Sequence, residues 1–171
     1  MFKRGKYEGK KQPVFRLVLT LLLAAALTVV VLLNLFTHVF SVVQYYGTSM
    51  EPTLQDRQVL VFLRTDQVKP GDVTAFYYNN QVLVRRVIAQ GGTSIELDDR
   101  GTVTVDGAAL QESYLTEVSV GLSNISYPFT VPHGELFVMG DNRSVSMDSR
   151  LQEIGTIPQN RIIGKLLFSF G

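Results

Sequence analysis

Residues 17–36 form a run of twenty residues without a charged side chain, and this run constrains the fold more than any other feature. A helix with a rise of about 1.5 Å per residue would extend this run over about 30 Å, the thickness of a bilayer's hydrocarbon core. A cleaved signal peptide has a shorter apolar run, of roughly 7–15 residues, that ends at a small-residue cleavage site. The Val/Leu-rich stretch after the alanines offers no such site, so we predict an uncleaved transmembrane anchor over residues 17–37.

Charges are distributed unevenly around this anchor. Residues 1–16 carry six basic side chains and one acidic side chain, whereas the rest of the chain carries ten basic and fourteen acidic. By the positive-inside rule, we expect residues 1–16 to be a basic cytoplasmic tail and residues 38–171 an extracytoplasmic domain at the cell membrane. An acidic folded part is the reverse of what a nucleic-acid-binding protein needs, so we exclude that class.

Composition removes further classes of site. The chain has no cysteine and two histidines, His38 and His133. Disulfides, thiolate catalysis and Cys-based zinc sites are therefore excluded, and a His-rich metal site is disfavoured. We expect neither a metal nor a cofactor.

Beyond the anchor, the pattern of residues is that of β-strands. Runs rich in Val, Phe, Tyr and Thr are separated by turn residues, and we read the helical pattern as stopping after Val43. The predicted strands are residues 58–63, 72–78, 81–89, 102–105, 135–139 and 161–170. Asn79-Asn80 and Asp106-Gly107 are typical of hairpin turns. The fold class is therefore mainly β, with residues 108–132 forming a small lobe or a long surface loop.

Two segments carry candidate chemistry. Ser49 lies in an irregular stretch between Gly47-Thr48 and Met50-Glu51-Pro52, just after the anchor. A serine in such a loop is in most cases a turn residue. Residues 140–143 and 147–150 place Asp, Asn, Arg and Ser side chains between apolar strands, which indicates either a polar turn or the support of a site.

Read in order, these segments resemble the bacterial type I signal peptidases of the Gram-positive kind, a family of single-pass membrane serine endopeptidases. The matching segments are Ser49-Met50-x-Pro52-Thr53-Leu54, Lys69-Pro70-Gly71-Asp72-Val73, Arg85-Arg86-Val87-Ile88, Val103-Thr104-Val105-Asp106-Gly107, Glu112-Ser113-Tyr114-Leu115, Gly140-Asp141-Asn142-Arg143, Ser146-x-Asp148-Ser149-Arg150 and Ile162-Ile163-Gly164-Lys165. The resemblance implies a signal-peptidase-like β domain that removes N-terminal signal peptides from exported proteins after small residues.

Residue roles follow from the same resemblance. Ser49 would be the nucleophile, its backbone N–H and a group near Gly47 would form the oxyanion hole, and Ser146 would orient the general base. The support of the site would come from Arg86, Asp141, Asn142, Asp148 and Arg150. The partners would be the lipid bilayer and an extended signal-peptide segment that joins the site as an added strand.

Arg85 is the one departure that bears on activity, because the family has its lysine general base at this position. A buried lysine can be neutral at working pH, since its pKa begins near 10.4. Neutralising an arginine at pH 7 costs about 7–9 kcal/mol, against about 4.6 kcal/mol for lysine. We therefore expect Arg85 not to take the serine proton. We predict that it lies partly buried beside Ser49 or Ser146, bound to an acidic side chain or a backbone carbonyl.

Two alternatives stay open at this point. Another residue, His133 or Lys69, could serve as the base, although we expect His133 to be solvent-exposed. The chain could also be a catalytically impaired homologue that binds exported or pilin-type proteins as an assembly factor.

Overall fold

The computed structural model describes residues 12–171, so most of the predicted basic tail, residues 1–11, lies outside the described residues. Helix α1 spans Gln12–Val39 and contains the predicted anchor. Its segment Pro13–Val39 has a mean hydropathy of 2.7 and exposes its side chains, and it is long and apolar enough to cross a membrane. The helix continues two residues beyond residue 37.

Phe40–Gly171 form a compact unit of their own. Its eleven strands, in chain order, are β1 (Phe40–Gln44), β2 (Val59–Leu63), β3 (Val73–Tyr78), β4 (Gln81–Gln90), β5 (Ser94–Leu97), β6 (Val103–Val105), β7 (Ala108–Ala109), β8 (Phe129–Thr130), β9 (Glu135–Met139), β10 (Ile157–Pro158) and β11 (Ile162–Phe170). A 3₁₀ turn, Gln159–Arg161, precedes β11. The mainly β fold class is confirmed.

Each of the six predicted strands is present, with ends shifted by at most one residue. The reading of residues 40–43 as a continuation of the helical pattern is wrong, because α1 ends at Val39 and β1 begins at Phe40. Apolar, β-branched residues suit both structures in a short segment. Antiparallel pairing with β2, from Phe40 opposite Leu63 to Gln44 opposite Val59, decides in favour of the strand.

The main sheet has seven antiparallel strands in the order β1-β2-β11-β3-β4-β9-β10. The predicted β3–β4 hairpin is confirmed, and both turn residues, Asn79 and Asn80, have positive φ as a tight two-residue hairpin requires. Strand β4 lies between β3 and β9, with Arg86 opposite Met139. The polar segment that follows Met139 therefore starts beside the two arginines of β4.

A second sheet, β7-β6-β5-β8, has four strands. Asp106 and Gly107 form the β6–β7 turn, also with positive φ, as predicted. Residues 108–132 hold only the two-residue strands β7 and β8, one near each end. The stretch between these strands is otherwise irregular.

Hydrophobic packing fixes the segment around Ser49 to the main sheet. Met50 and Leu54 are fully buried and pack with Leu60 and Phe62 of β2. Burial of a large apolar side chain contributes about 1.5–3 kcal/mol. The serine segment is thus a loop whose apolar residues belong to the core.

Candidate active site

Ser49 lies half-buried in the loop after β1. Its carbonyl oxygen accepts a hydrogen bond of 3.0 Å from the backbone N–H of Asn142. Further along the same loop, the Thr53 hydroxyl donates to the Asp141 carboxylate. Two bonds between residues about ninety positions apart thus tie the serine loop to the segment that follows β9.

Arg85 extends from β4 to the hydroxyl of Ser49 and is only 4% exposed. Its Nη1 donates to Ser49 Oγ at 2.8 Å and to the carbonyl of Val84 at 2.6 Å. Its Nε and Nη2 donate to the carbonyl of Met147 at 2.9 and 2.7 Å. The predicted location, buried beside Ser49 and bound to a backbone carbonyl, is confirmed.

Burial lowers the pKa of Arg85, and the nearby charge of Asp148 opposes this shift. The direction is the one that a general base requires, but the ordinary pKa of an arginine lies far above that of a lysine. A guanidinium stays charged in proteins and has no free lone pair to accept a proton. Arg85 therefore donates to the serine oxygen and does not deprotonate it.

Tyr45, which directly follows β1, is a site residue that the sequence did not indicate. It is 4% exposed, and its hydroxyl lies 3.1 Å from Ser49 Oγ. The same hydroxyl accepts a hydrogen bond of 3.0 Å from the backbone N–H of Met50. No motif marks a tyrosine four residues before the serine, so only the folded loop shows the contact.

Ser146 is fully buried, and among the described residues its hydroxyl has no hydrogen-bond partner. It lies close to the serine loop, because a Cβ added at Gly140 would clash with Ser146 Oγ and would lie 2.5 Å from the Ser49 carbonyl oxygen. Glycine is required at position 140 for this close approach. Arg85, which occupies the position of the family's general base, makes no hydrogen bond to the Ser146 hydroxyl. The role of Ser146 in orienting a base stays a prediction.

Asp148 and Arg150 form a fully buried ion pair. Both carboxylate oxygens of Asp148 accept from Arg150, each at 2.8 Å, and Oδ2 also accepts the backbone N–H of Gly140. Arg150 further donates to the carbonyl of Ser146 at 3.4 Å. This pair holds the shape of the segment that carries Ser146.

Arg86 points away from Arg85, as neighbouring side chains on a strand do, and binds Asp141. Its Nε and Nη2 reach the two carboxylate oxygens at 2.8 and 2.6 Å. The hydrogen bond and charge of Asp141 outweigh burial and raise the pKa of Arg86. The Tyr114 ring lies 4.0 Å from the guanidinium of Arg86. Burial, followed by a hydrogen bond to Glu112, raises the pKa of the Tyr114 phenol.

Gly47 and Asn142 are the remaining predicted site residues. Gly47 is exposed with φ of +104°, and its N–H donates to Asp56 at 2.7 Å. The Asn142 side chain accepts from the Ser144 hydroxyl, while its backbone N–H holds Ser49. The oxyanion-hole role of the Gly47 region stays a prediction.

None of the alternative bases contacts the serine in the part of the chain that the structure describes. The hydrogen-bond partners of Ser49 Oγ there are Arg85 and Tyr45. His133 is exposed as expected, Lys69 is also exposed, and Lys165 pairs with Asp72 at 2.7 Å. The site is therefore a half-buried serine hydroxyl held by a permanent cation and a phenol.

Comparison with known proteins assigns the family. A family model described as signal peptidase, peptidase S26, matches residues 15–170. Signal peptidase I of Bacillus licheniformis is 33% identical over an alignment that covers 96% of this chain and 92% of that protein. Signal peptidase I T of Bacillus subtilis (strain 168) is 34% identical, with 85% of this chain and 82% of that protein covered. A crystal structure of a signal peptidase I from Enterococcus faecalis V583 is 28% identical, with a TM-score of 0.49, and covers 59% of this chain and 97% of that chain.

The chain therefore belongs to the signal peptidase family, peptidase S26, a family of serine endopeptidases. The resemblance inferred from the ordered motifs is confirmed.

Proposed function

We propose that this chain removes N-terminal signal peptides from exported preproteins, with Ser49 as the nucleophile. One observation carries the assignment: the half-buried Ser49 hydroxyl lies where the segments that resemble the peptidase family meet. Arg85 of β4 contacts its hydroxyl, and Asn142 of the segment after β9 holds its carbonyl. The relatives bear the name signal peptidase I, which supports an extended signal-peptide segment as the substrate here.

In this proposal, α1 anchors the chain in a lipid bilayer and the β domain acts outside the cytoplasm. The basic residues of positions 1–16 support a cytoplasmic N-terminus, since such residues are retained on that side. The division is a tail of residues 1–16, an anchor of residues 17–37 and an external domain of residues 38–171. The alternative considered above, binding of exported or pilin-type proteins without cleavage, receives no support from the relatives' names.

The proposed reaction is acyl transfer through Ser49. Its Oγ attacks the carbonyl carbon of the scissile bond, the amine of the mature protein leaves, and water hydrolyses the acyl-enzyme. Arg85 donates to the oxygen on which negative charge develops, so it stabilises the alkoxide without accepting a proton. The serine proton passes instead to hydroxide from solvent, which becomes water, and solvent water supplies the proton that the departing amine takes up. Cleavage therefore lacks the roughly 10²–10⁴-fold that a positioned general base contributes.

Support of the site would come from the buried ion pairs around it. The Asp148–Arg150 pair joins two residues of the segment after β9. The Asp141–Arg86 pair joins that segment to β4. Ser146 is kept in place with no base to orient. We assign to Gly47 and the Ser49 N–H the oxyanion-hole role that the family resemblance implies.

The Arg85→Lys substitution tests this function directly. The full chain in detergent is assayed on a peptide with Ala at the −1 and −3 positions, beside Ser49→Ala and the exposed turn variant Arg100→Lys. We expect Arg85→Lys to cleave about 10²–10⁴-fold faster than the wild type. Its rate should rise with pH until the lysine amine is neutral and then level off, whereas the wild-type rate should keep rising with hydroxide concentration. Arg100→Lys should match the wild type.

Three outcomes would contradict parts of the proposal. Equal rates for the wild type and Arg85→Lys would indicate another base, with His133 and Lys69 the next residues to substitute. Cleavage that survives Ser49→Ala would remove the serine from the mechanism. The absence of cleavage from both the wild type and the Arg85→Lys variant would refute the peptidase function itself.

Protease added to intact cells tests the orientation. We expect digestion of residues 43–171 and protection of the tail and anchor, because only the external domain would be reachable. Immunoblotting with tags at each end of the chain reads out both fragments. Protection of the whole domain, or release of a soluble domain from the cells, would overturn the anchored, outward-facing topology.

A further inference from the structure

Arg85 differs from the other buried or half-buried arginines of the described chain in its charge balance. Each of the others forms an ion pair: Arg86 with Asp141, Arg143 with Glu112, and Arg150 with Asp148. Arg85 has no ion pair among residues 12–171, and its acceptors are two backbone carbonyls and the Ser49 hydroxyl. Asp148 attracts it from a distance but is already bound at both oxygens by Arg150. The site therefore buries one positive charge that no carboxylate of the described chain neutralises.

This charge acts through the serine. Because Arg85 donates to Ser49 Oγ, the serine's own hydrogen cannot point at Arg85. That hydrogen is free to point at Tyr45, whose oxygen is 3.1 Å away, or away from both Arg85 and Tyr45. A hydroxyl whose oxygen accepts from a cation is polarised into a stronger donor. A negatively charged oxygen facing Ser49 would thus complete a chain from guanidinium through hydroxyl to anion.

The reaction proposed above forms such an anion at this position. Hydrolysis of the acyl-enzyme breaks the bond between Ser49 Oγ and the acyl carbon, water supplies the new oxygen, and the products are the serine hydroxyl, a carboxylate and a proton. The carboxylate is the new C-terminus of the signal peptide, and it begins in contact with Ser49 Oγ. A neutral lysine at position 85, as a general base must be, would provide no charge to hold it.

We propose, on the basis of that function, that Arg85 makes the Ser49 site a receptor for peptides that end in a free carboxylate after a small residue. The ligand class is the cleaved signal peptide itself. Ser49 donates to the carboxylate, Arg85 supplies the neutralising charge, and Tyr45 keeps the serine hydroxyl in place. The wild-type site therefore retains its own product.

Equilibrium binding of two matched peptides tests this site. Both carry an apolar segment that ends in Ala-x-Ala and a fluorescent label at the N-terminus, and one ends in a carboxylate, the other in a carboxamide. Neither peptide has a residue beyond the −1 position, so neither contains the scissile bond. Anisotropy titrations use the full chain in detergent: wild type, Arg85→Gln, Arg85→Met and the exposed control Arg100→Gln.

We expect the wild type and Arg100→Gln to bind the carboxylate peptide about 10-fold or more tightly than the carboxamide, as for hydrogen bonds to charged groups. The ratio of the two affinities should fall to about one in both Arg85 variants, because both lose the positive charge. Arg85→Gln keeps hydrogen-bond donors and Arg85→Met keeps a long side chain, so neither of those properties explains the loss. Free acetate at the peptide's concentration should not displace the carboxylate peptide.

Equal affinity of the wild type for the two peptides would overturn the receptor, and this comparison stands even if the Arg85 variants fail to fold. A carboxylate preference that persists in folded Arg85→Gln would also overturn it. Displacement by equimolar acetate would indicate a general anion site in place of a peptide-terminus site. Since no cleavage occurs in this assay, its result is independent of whether the peptidase function holds.

Discussion

The reaction centre around Ser49 and the segment around Asp148 each bury an arginine, but within residues 12–171 a carboxylate is paired with the second arginine and not with the first. Arg150 is fully buried with both Asp148 oxygens on its guanidinium. Arg85 is 4% exposed, and the acceptors that it reaches within residues 12–171 are all neutral. A buried charge with its partner preserves structure, whereas one without a partner is costly and favours an external anion. The comparison therefore separates a structural arginine from a functional one within a single site.

Substitution of each arginine by methionine should give the largest difference in stability between the two positions. We expect Arg150→Met to lower the free energy of unfolding by about 3–5 kcal/mol, because it leaves the Asp148 carboxylate buried without its partner. Arg85→Met should cost less than about 1 kcal/mol, since no buried carboxylate loses a partner and a desolvated charge is removed. Denaturant unfolding of the full chain in detergent measures both values. Equal losses in the free energy of unfolding would mean that the charge of Arg85 is compensated as well as the charge of Arg150.

Tyr45→Phe sharpens the comparison at the serine. The buried N–H of Met50 loses its acceptor, and the Ser49 hydroxyl loses one of its two hydrogen-bond partners within residues 12–171. An unsatisfied buried donor costs about 1–3 kcal/mol, so we expect a stability loss of that size together with a lower cleavage rate. The neighbouring Tyr46→Phe is a matched control, because Tyr46 is 67% exposed and its hydroxyl donates to the exposed side chain of Gln44. A stability loss in Tyr46→Phe as large as in Tyr45→Phe would remove the special role of Tyr45.

Ser146→Ala should have the smallest effect in the wild-type chain. The hydroxyl that it removes is buried and has no partner among residues 12–171, so we expect stability to change by no more than about 0.5 kcal/mol or to increase slightly. Cleavage by the wild type should also be unchanged. In an Arg85→Lys background the same substitution should lower the rate, since a lysine base is the group that Ser146 is expected to orient. Ser144→Ala, on the exposed side of the segment, is the control.

A large loss of activity from Ser146→Ala in the wild-type chain would show that Ser146 serves Arg85 as it would serve a lysine. A double-mutant cycle over positions 85 and 146 measures this dependence, because it isolates the coupling between two side chains.

Much of the fold could be predicted from the sequence because its signals are local. The uncharged run of residues 17–36 predicts α1, and alternating Val, Phe and Tyr between turn residues predict the six longer or more regular strands. The sequence missed five strands: β1, which was read as helix, the four-residue β5, and β7, β8 and β10, which have two residues each. Pairing with a neighbouring strand, and not local preference, makes these segments extended.

Ser49 and Arg85 could be brought together from the sequence because the order of motifs resembles a known family. The chemical consequence of the arginine also follows from the sequence, since a guanidinium stays protonated in any fold. The sequence alone thus determined the anchor, the main strands, the nucleophile candidate and the loss of a lysine base.

Only the tertiary structure decided that this arginine has no carboxylate partner within residues 12–171. The hydrogen bonds of Arg85 to Ser49 and Met147 span 36 and 62 positions of the chain, and the contact between Tyr45 and Ser49 depends on how the loop after β1 folds back on itself. Hydrogen-bond partners and buried charges depend on which distant segments share an interior, and no local pattern encodes that. The unpartnered hydroxyl of Ser146 and the unpaired charge of Arg85, both seen within residues 12–171, are therefore properties of the packed site and not of any motif.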